Sequence, residues 1–477
     1  MFLGVDLGTS SVKAVVMDED GSVKEVASAG YPVESPSPGW AETDPADWWL
    51  ATRKAVAGLS SSNRKRIQAI GLAGQMHGLV LTRTDGRPLR RAILWADGRS
   101  GQELDAYRRL SLRLLNQLGN PLALGMAGPS LLWVKRHEPE TYESARWALQ
   151  PKDWLRMNIT SEAYAEPTDA SATLLYHLGG DAWAVEVLEE LDIRPSLLPP
   201  LIQSQDVAGR LTAQGAGELG LESGLPVAAG AADAAASLFG EGLMEPGAVL
   251  LTIGTGAQFT SLRTRLLPDP DARVLLYRAV EKGTWCSMAA ILNAGLTLDW
   301  VRNLFQVGWD ELYGSAAQVP PGAGGVTFLP HLVPERALRH ASDAGACWAG
   351  IGLQHGREHL LKAALEGVAF ALRDAMDSLQ DVDIQAPELR LAGGGSSDTG
   401  WRQLLADVLG KPLMAVRGEA GAGRGAALLA GLAAGAYKTV SESPATNLTT
   451  EIAAEPGPQA GAYAIVRERY RAAQATV

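Results

Sequence analysis

Short apolar runs, separated by turns rich in glycine, serine and threonine, dominate the start of the chain. Residues 2–5 form the first run and 12–17 the second, and a third covers 22–27 after an Asp20-Gly21 turn signal. Runs of this length that are bounded by turn residues indicate β-strands. We therefore expect the chain to open with an antiparallel meander whose first turn is Asp6-Leu7-Gly8-Thr9-Ser10-Ser11.

Strands and helices alternate through the rest of the first half. Asp44 is a candidate N-cap in front of Pro45, which predicts a helix that runs to about residue 59. The elements predicted after it are strands over 67–73, 79–82 and 92–95, a mostly helical region over 121–201, and a strand over 224–230 that leads into a helix after Asp233. This alternation indicates an α/β fold.

The second half repeats the pattern of the opening hairpin. Residues 249–260 again form two apolar runs joined by a turn, and setting Gly8 on Gly254 sets Thr9 on Thr255. A third run over 274–279 follows, as in the first half. We interpret the match as an internal duplication with a boundary near residues 238–247.

The remaining pattern predicts two domains of similar size. Further elements are expected as helices over 289–305, 355–379, 401–409, 424–434 and 463–473, with strands over 389–392 and 412–416. We divide the chain into a first domain over 1–240 and a second domain over 241–477, whose last helix can pack back on the first.

Composition narrows the classes of function. The 477 residues are 46% hydrophobic and 20% charged, with a net charge of −11, which gives no support to nucleic-acid or anionic-membrane binding. No apolar run reaches the roughly 20 residues that span a bilayer, and Met1 begins directly on a strand-like run, so we expect no signal peptide. Two cysteines favour a reducing compartment, and we expect a cytoplasmic protein.

Three glycine-rich turns, each after a buried strand, are the main chemical signal. They lie at Gly8–Ser11, Gly254–Gly256 and Gly393–Ser397. Backbone N–H groups in such turns and at helix N-termini bind phosphate oxygens. Three turns in two related halves therefore indicate a nucleotide in a cleft between domains. The P-loop sequence, the Rossmann fingerprint after the first strand and the protein-kinase motifs are all absent.

Four polar residues are candidates for chemistry, and each has a structural alternative. Asp6 ends the first strand and can hold a metal ion through water, although its turn also reads as an ordinary hairpin. Asp233 is either a helix N-cap or a general base for a substrate hydroxyl. His77 is either a structural donor or an acid–base group. Asp97 either pairs with Arg99 or binds a polyol.

The combination of these stretches resembles the FGGY family of carbohydrate kinases, and within it the members that phosphorylate D-xylulose. The likeness runs nearly end to end, and the Gln-Met-His-Gly stretch is its most specific part. The matching stretches are Gly4–Lys13, Gly39–Glu42, Gly74–Val80, Ile93–Ser100, Asp233, Ile253–Gly256, Leu292–Gly295 with Asp299-Trp300, and Gly393–Gly395 with Trp401–Gln403.

The resemblance implies a fold, a reaction and a set of site residues. The fold is two ribonuclease-H-like domains of the actin, hexokinase and chaperone-ATPase type around a central cleft. The reaction is transfer of a phosphoryl group from ATP, with Mg²⁺, to the C5 hydroxyl of D-xylulose, with Asp233 as the base. The implied contacts are Gln75, Met76, His77, Trp95, Asp97 and Asp233 for the sugar, Asp6 for Mg²⁺, and Gly8, Thr9, Ser10, Lys13, Gly254, Thr255, Gly295, Asp299, Gly394, Gly395 and Asp398 for the nucleotide and its phosphates.

Two departures from the family pattern bear on the substrate. Many members that act on D-xylulose have Asn after the catalytic aspartate, whereas this chain has Ala234. The Arg-Glu pair of glycerol kinases is replaced by Met76-His77, which argues against glycerol. The alternatives are a kinase for D-ribulose, sedoheptulose or a polyol, a non-catalytic sugar-binding regulator, and, more remotely, an actin-type filament protein. The expected partner is a small-molecule sugar, and the resemblance also allows a homodimer.

Overall fold

Two seven-stranded sheets organise the molecule, one in each half of the chain. The structure, a computed structural model, describes residues 1–269, 271, 273–333, 345–416 and 421–476. None of the helices in these ranges is long and apolar enough to cross a membrane.

The first half contains the following elements in chain order. They are β1 Phe2–Leu7, β2 Ser11–Met17, β3 Val23–Gly30, β4 Glu42–Thr43, α1 Pro45–Ala57, α2 Ser61–Arg64, β5 Ala69–Gly74, β6 Val80–Thr82, β7 Ala92–Ile93, α3 Leu104–Arg108, α4 Leu112–Leu118, α5 Ala127–His137, α6 Pro139–Ser144, β8 Trp147–Leu149, α7 Pro151–Thr160, α8 Pro167–Ala170, β9 Tyr176–His177, β10 Ala182–Trp183, α9 Val185–Glu190, β11 Val207–Arg210, α10 Ala213–Leu219, β12 Pro226–Ala228, β13 Ala231–Ala232 and α11 Asp233–Gly240.

The second half continues the numbering. Its elements are β14 Val249–Ile253, β15 Ala257–Arg263, β16 Leu275–Arg278, β17 Trp285–Ile291, α12 Gly295–Leu304, α13 Trp309–Ala317, β18 Thr327–Leu329, β19 Cys347–Ala349, α14 Arg357–Gln380, β20 Leu389–Ala392, α15 Thr399–Leu409, β21 Leu413–Val416, α16 Ala422–Ala433, β22 Thr450–Ala454 and α17 Ala460–Gln474.

The predicted opening of the chain is confirmed. Strands β1, β2 and β3 form the antiparallel meander, and β1 also pairs in parallel with β5. Asp44 caps α1, because its carboxylate accepts the N–H of Ala46 at 2.9 Å while Pro45 occupies the first helical position.

The two sheets share one pairing pattern, which supports the duplication. In the first, β1 is antiparallel to β2 and parallel to β5, β5 is parallel to β12, and β12 is antiparallel to β11. In the second, β14, β15, β20, β21 and β22 repeat these four relations in the same order. Each half thus has a central strand whose carboxyl end opens into a glycine turn.

One helix was predicted in the wrong place. The range 289–305 was expected to be a single helix, but β17 extends to Ile291 and α12 begins only at Gly295. Its alanines and leucines suit a helix locally. Pairing of β17 with both β15 and β16 overrides that preference. It is also β17, and not the 274–279 run, that pairs with β15 as β3 pairs with β2.

Helix α16 joins the two halves. Although it follows the second sheet in sequence, it packs on β1, β5 and α11 of the first half. The approach is so close that a Cβ on Gly4 would lie 2.0 Å from the carbonyl oxygen of Gly423. A Cβ on Gly71 would lie 1.9 Å from that of Ala426. The last helix, α17, instead packs on α15 and β18 of the second half. The last helix was expected to be able to pack on the first domain, but it is α16, the helix before it, that does so.

Substituting Gly71 by alanine should destabilise the protein, because the new methyl group meets helix backbone that cannot rotate away. We expect a loss of about 2–3 kcal/mol, the upper range for overpacking, seen as a lower melting temperature by calorimetry. Gly217→Ala is the matched control, since Gly217 is an exposed residue of α10 with open space around its Cα. That variant should be neutral or slightly stabilising. Equal melting temperatures for the two variants would contradict the close-packing argument.

Candidate active site

Three strand ends meet at one edge of the first sheet. Leu7 of β1 and Ala232 of β13 both pair with Gly74 of β5, so the chain leaves all three strands at the same level. Carboxyl ends of neighbouring parallel strands are where ligands bind in open α/β sheets. The residues brought together there are Asp6 with the turn at Gly8, the stretch Gln75-Met76-His77, and Asp233.

A cavity of about 280 Å³ opens at this edge. Five of the six residues predicted for the sugar line it, namely Gln75, Met76, His77, Trp95 and Asp233. The opposite wall comes from the second half and includes Thr252, Gln258, Leu275, Met288 and Ala290. The sequence carried no signal for this second wall, because its residues are ordinary strand residues that only the closing of one half on the other brings to the cavity.

Asp233 has the environment of a proton acceptor. It is the first residue of α11, behind Ala232 at the N-cap position, and its Oδ1 accepts the N–H of Ala234 at 2.8 Å. The pKa of Asp233 is raised to about 7, chiefly by burial and secondly by the neighbouring charge of Asp6, while the N–H group of Ala234 opposes the rise. A carboxyl with a pKa near neutrality suits general-base catalysis. Ala232 and not Asp233 occupies the N-cap position, but the Asp233 carboxylate still satisfies one N–H of the first helical turn.

Asp6 fits a hydrated cation. Burial raises the pKa of Asp6 to about 6, and the ammonium of Lys13, its cross-strand partner, opposes that rise. Among the described residues its Oδ1 has no hydrogen-bond partner although it is buried. The described residues hold no cluster of three or more His, Cys, Asp or Glu arranged for a metal. Mg²⁺ in phosphoryl-transfer sites uses one or two carboxylates with water and phosphate oxygens, so one orphaned carboxylate is sufficient.

The first glycine turn is held from behind by side chains. Tyr31 Oη and Gln75 Nε2 both donate to the carbonyl of Gly8, the latter at 3.3 Å, and Trp95 Nε1 donates to Thr9 Oγ1 at 3.0 Å. Thr9 lines the cavity. The other predicted phosphate contacts of this turn, Gly8, Ser10 and Lys13, are not among the described residues that line either cavity.

His77 lies in the cavity wall in an unusual backbone conformation. Its φ of 69° is in the left-handed region, which side chains other than glycine adopt at a cost. Its Nδ1 is 2.6 Å from the carbonyl oxygen of Ala172. A carbonyl only accepts, so Nδ1 carries the proton and donates. This is the structural-donor alternative of the sequence analysis, combined with a place beside Asp233.

Asp97 has its carboxylate occupied away from the cavity. Oδ2 accepts the N–H of Ala41 at 2.6 Å and pairs with Arg99 at 2.7 Å, and the side chain is 1% exposed. The guanidinium of Arg99 also lies 3.6 Å from the ring centre of Trp40. Of the two roles open for Asp97, the structure therefore has the ion pair, and Asp97 is not among the described residues lining the sugar-sized cavity.

A cluster of fully buried charges lies next to β13, the strand that directly precedes Asp233. Lys152 Nζ is 2.7 Å from Asp153 and 3.1 Å from both Glu166 and Asp169. Arg156 pairs with Asp153 at 2.8 Å and donates to the carbonyl of Ala229 at 2.5 Å. Although burial alone lowers the pKa of Lys152, the surrounding carboxylates raise it above its ordinary value. Two cations thus face three carboxyl groups, and burial raises the pKa of Asp169 well above its ordinary value, which favours its neutral form.

The cluster reaches Asp233 through one hydroxyl. Glu166 accepts the O–H of Thr168 at 2.7 Å and the O–H of Ser204 at 2.9 Å. Thr168 Oγ1 in turn accepts the N–H of Ala232 at 2.7 Å. Because Ala232 is the N-cap residue directly before Asp233, this chain of bonds fixes the start of α11. The sequence analysis missed the cluster, whose members it placed only in a mixed helical region.

A second and larger cavity, of about 650 Å³, lies on the second half. It contains every nucleotide contact predicted there: Gly254, Thr255, Gly295, Asp299, Gly394, Gly395 and Asp398. Two glycines of this region allow close backbone approach: a Cβ on Gly295 would lie 2.1 Å from the oxygen of Gly254, and one on Gly393, whose φ is 89°, would lie 2.3 Å from that of Ile253. The two cavities share Gly254 and Thr255.

Two residues in the larger cavity also have structural roles. Asp398 caps α15 by accepting the N–H of Trp401 at 2.7 Å, and Asp299 pairs with Arg302 at 2.7 Å within α12. The cavity contains an aromatic pair that the sequence analysis missed. Trp309 and Tyr313, one turn apart on α13, stack with ring centres 5.9 Å apart. Two aromatic residues spaced i, i+4 were the available signal.

Comparisons with known families agree along most of the chain. The model for the N-terminal domain of the FGGY family of carbohydrate kinases matches residues 1–240. The model for the C-terminal domain of that family matches residues 249–434.

Several characterised proteins are similar over nearly their whole length. A xylulose kinase of Escherichia coli (strain K12) is 34% identical over 93% of this chain and 92% of its own. One of Bacillus subtilis (strain 168) is 32% identical over 92% of this chain and 89% of its own. A gluconokinase of Bacillus subtilis (strain 168) is 27% identical over 85% of this chain and 82% of its own.

Solved structures share the fold. A structure from Brucella ovis, described as a xyloylose kinase, has a TM-score of 0.87 at 33% identity and covers 99% of this chain and 98% of its own. A xylulose kinase from Rhodospirillum rubrum has a TM-score of 0.88 at 29% identity and covers 100% of this chain and 98% of its own.

The carboxyl of Asp233 should titrate near pH 7 in the free protein, well above the ordinary value of about 4 for aspartate. Asp6→Asn should lower the pKa of Asp233, because it removes the second cause of the shift and leaves only burial. Isotope-edited infrared spectroscopy of ¹³C-aspartate protein follows the carboxyl, with Asp233→Asn identifying its band. Asp105→Asn, at an exposed helix position, is the control and should leave the titration unchanged. An Asp233 that titrates near 4 would contradict the assignment.

Proposed function

The chain belongs to the FGGY family of carbohydrate kinases, and we propose that it transfers the γ-phosphoryl group of ATP to the C5 hydroxyl of D-xylulose. The observation that carries this proposal is the junction of the two cavities. The smaller one contains the carboxyl with a pKa near 7, the larger one has the size of a nucleotide site, and they meet at Gly254 and Thr255. The sequence relatives of this chain include xylulose kinases.

In the proposed reaction Asp233 accepts the proton of the C5 hydroxyl. The oxygen attacks the γ-phosphorus, the bond from that phosphorus to the β,γ-bridging oxygen breaks, and ADP leaves with the electron pair. Positioning and electrostatic stabilisation supply most of the acceleration in phosphoryl transfer. The backbone of the Gly254 turn and the hydroxyl of Thr255 lie where the two cavities meet, and Thr9 lines the smaller one; these groups suit the transferred phosphoryl oxygens.

Mg²⁺ is the expected metal, and Asp6 is the residue proposed to hold it, through water. When bound, the ion neutralises phosphate charge. The carboxylate of Asp6 also lies near Asp233. Its negative charge raises the pKa of Asp233, which makes Asp233 a stronger base.

The adenine is proposed to lie against the aromatic pair of the larger cavity. Trp309 is 38% exposed while Tyr313 is backed by the stacked ring of Trp401, so one face of the pair remains accessible. Stacking on aromatic faces holds nucleobases without reading their edges. The glycine turns at Gly254 and Gly394 then lie on the side of the phosphates.

A neutral sugar suits the smaller cavity better than an acidic one. Its lining, in the described residues, includes no lysine or arginine. The carboxylate of gluconate would therefore enter a partly apolar cavity without a cation beside it, at a desolvation cost. This argues against gluconate, although a gluconokinase is among the relatives. Among neutral sugars, the replacement of the usual Asn by Ala234 leaves D-ribulose and sedoheptulose as the rivals to test.

The purified protein should have its highest kcat/KM, measured by ADP release, with D-xylulose. The panel also includes D-ribulose, sedoheptulose, glycerol and D-gluconate. Asp233→Ala should lower kcat by about a thousandfold or more, since base, positioning and charge effects are lost together. A coupled ADP-release assay measures both. Asp105→Ala, at an exposed helix position, is the control for handling and should retain full activity. Equal kcat/KM for D-ribulose, or full activity of Asp233→Ala, would contradict the proposal.

Thr168→Val should lower kcat about ten- to a hundredfold, because the valine cannot accept the N–H of Ala232 and the base loses its support. KM for ATP should stay within about twofold of wild type, since the larger cavity is untouched. Steady-state kinetics with ATP and the sugar varied in turn separate the two constants.

Two variants make the Thr168 experiment specific. Thr168→Ser keeps the hydroxyl and should retain most of kcat. Thr52→Val deletes another buried hydroxyl, one that donates only to the carbonyl of Trp48 within α1, and should leave kcat unchanged. A kcat for Thr168→Val as high as that for Thr52→Val would mean that the buried cluster does not position Asp233.

A further inference from the structure

The edge strand β16 of the second sheet carries a buried tyrosine into the first half of the molecule. Tyr277 is 1% exposed and packs in an apolar cluster whose other members include Met76 and Ala234. Leu275, two residues earlier and therefore on the same face of the strand, lines the smaller cavity. Tyr277 thus stands directly behind the cavity wall.

The side chain that Tyr277 meets there is His77. The two rings are 5.7 Å apart between centres and inclined by 62°, an edge-to-face arrangement. Tyr277 Oη is 3.5 Å from His77 Nε2. The contact therefore joins the two halves of the chain. It also joins a residue of the apolar cluster, Tyr277, to a residue that lines the cavity, His77.

The bond at Nδ1 of His77 determines which ring nitrogen carries the proton. His77 Nδ1 donates to the carbonyl of Ala172, so in the neutral ring Nε2 has a lone pair and accepts. This nitrogen has a single lone pair, and the Tyr277 hydroxyl is a donor 3.5 Å from it. Together Ala172 and Tyr277 hold both ring nitrogens of a residue whose backbone is in the left-handed region.

Strand β16 is itself fixed to the first half on both sides of the tyrosine. The amide of Asn120 donates to the carbonyl of Leu276 at 2.7 Å and accepts its N–H at 2.7 Å. Ser171 Oγ accepts the N–H of Arg278 at 2.9 Å, and the Arg278 guanidinium pairs with Asp181 at 3.1 Å. These bonds fix the position of β16, and therefore of the tyrosine hydroxyl, relative to the imidazole of His77.

We propose that Tyr277 is a positioning residue that holds the imidazole of His77 in the cavity wall. Sugar binding then depends on the packing of β16 of the second half against the first half. The inference rests on the proposed function, because it takes the smaller cavity as the sugar site. The first half supplies Asp233 and His77 and holds Nδ1 of the imidazole through Ala172, whereas the contact to Nε2 forms only when β16 packs against it. Sugar affinity then depends on a residue that need not touch the sugar.

The experiment compares Tyr277→Phe with wild type. Phenylalanine keeps the ring packing and deletes only the hydroxyl, so KM and the calorimetric Kd for the sugar should rise about three- to tenfold, as for one lost hydrogen bond between neutral partners. KM for ATP and kcat should stay within about twofold. Tyr107→Phe is the matched control, because Tyr107 is a buried tyrosine of the same apolar cluster that lies outside both cavities, and it should leave every constant unchanged.

A double-mutant cycle tests whether Tyr277 acts through His77. Asparagine tolerates the left-handed backbone of residue 77 and lacks the imidazole. In the His77→Asn background, Tyr277→Phe should change sugar Kd by less than about twofold, because the two substitutions remove the same interaction. An additive loss, or a fall in kcat with unchanged sugar Kd, overturns the proposal.

The failure of the proposed function and the failure of this inference give different results. If wild type does not phosphorylate D-xylulose, the proposed function fails, and the cycle is run with the sugar of the panel that wild type does turn over. A readout without sugar completes the test. The ¹⁵N shift of His77 Nε2, assigned by its loss in His77→Asn, should move in Tyr277→Phe and not in Tyr107→Phe. An unmoved signal overturns the inference.

Discussion

The buried ammonium of Lys152 is the interaction on which the catalytic edge of the first sheet depends. It faces Asp153, Glu166 and Asp169, all fully buried, and breaking a buried ion pair costs about 3–5 kcal/mol because the remaining charge is uncompensated. Such a cluster has few arrangements in which every member is satisfied. It therefore fixes Thr168 and, through the N–H of Ala232, the position of Asp233.

Close backbone packing imposes the second constraint. Helix α16 crosses from the second half and lies directly on β1 and β5, where only glycine leaves room for its carbonyls. The strand ends that carry Asp6 and Gln75 are therefore held against a rigid backbone rather than against side chains that can repack. Buried charges on one side of the sheet edge and helix backbone on the other leave the cavity residues little freedom to move, which is what a positioned base requires.

The sequence predicted the parts of the site that have local signals. Glycine turns after strands indicated Gly254 and Gly394 as parts of a nucleotide site, and the family resemblance added Gly295, Asp299 and Asp398, which line the same cavity. Prediction failed where tertiary pairing decides the outcome, as for β17, whose residues suit a helix. For Asp97 the sequence left an ion pair with Arg99 and a ligand contact open, because both require the same residue types, and the structure shows the ion pair. The charges around Lys152 are separated along the chain, and only folding shows that they meet.

The smaller cavity is lined by residues of both halves, so residues of either half can affect which ligand it accepts. The first half supplies Asp233 and His77, while Leu275 and Met288 of the second half close the opposite wall. Ala234, directly after Asp233, belongs to the apolar cluster that also contains Tyr277. A longer polar side chain at 234 would have to be accommodated against that cluster. The small residue on one half and the tyrosine on the other are therefore parts of one packed arrangement across the interface, which also holds the imidazole of His77.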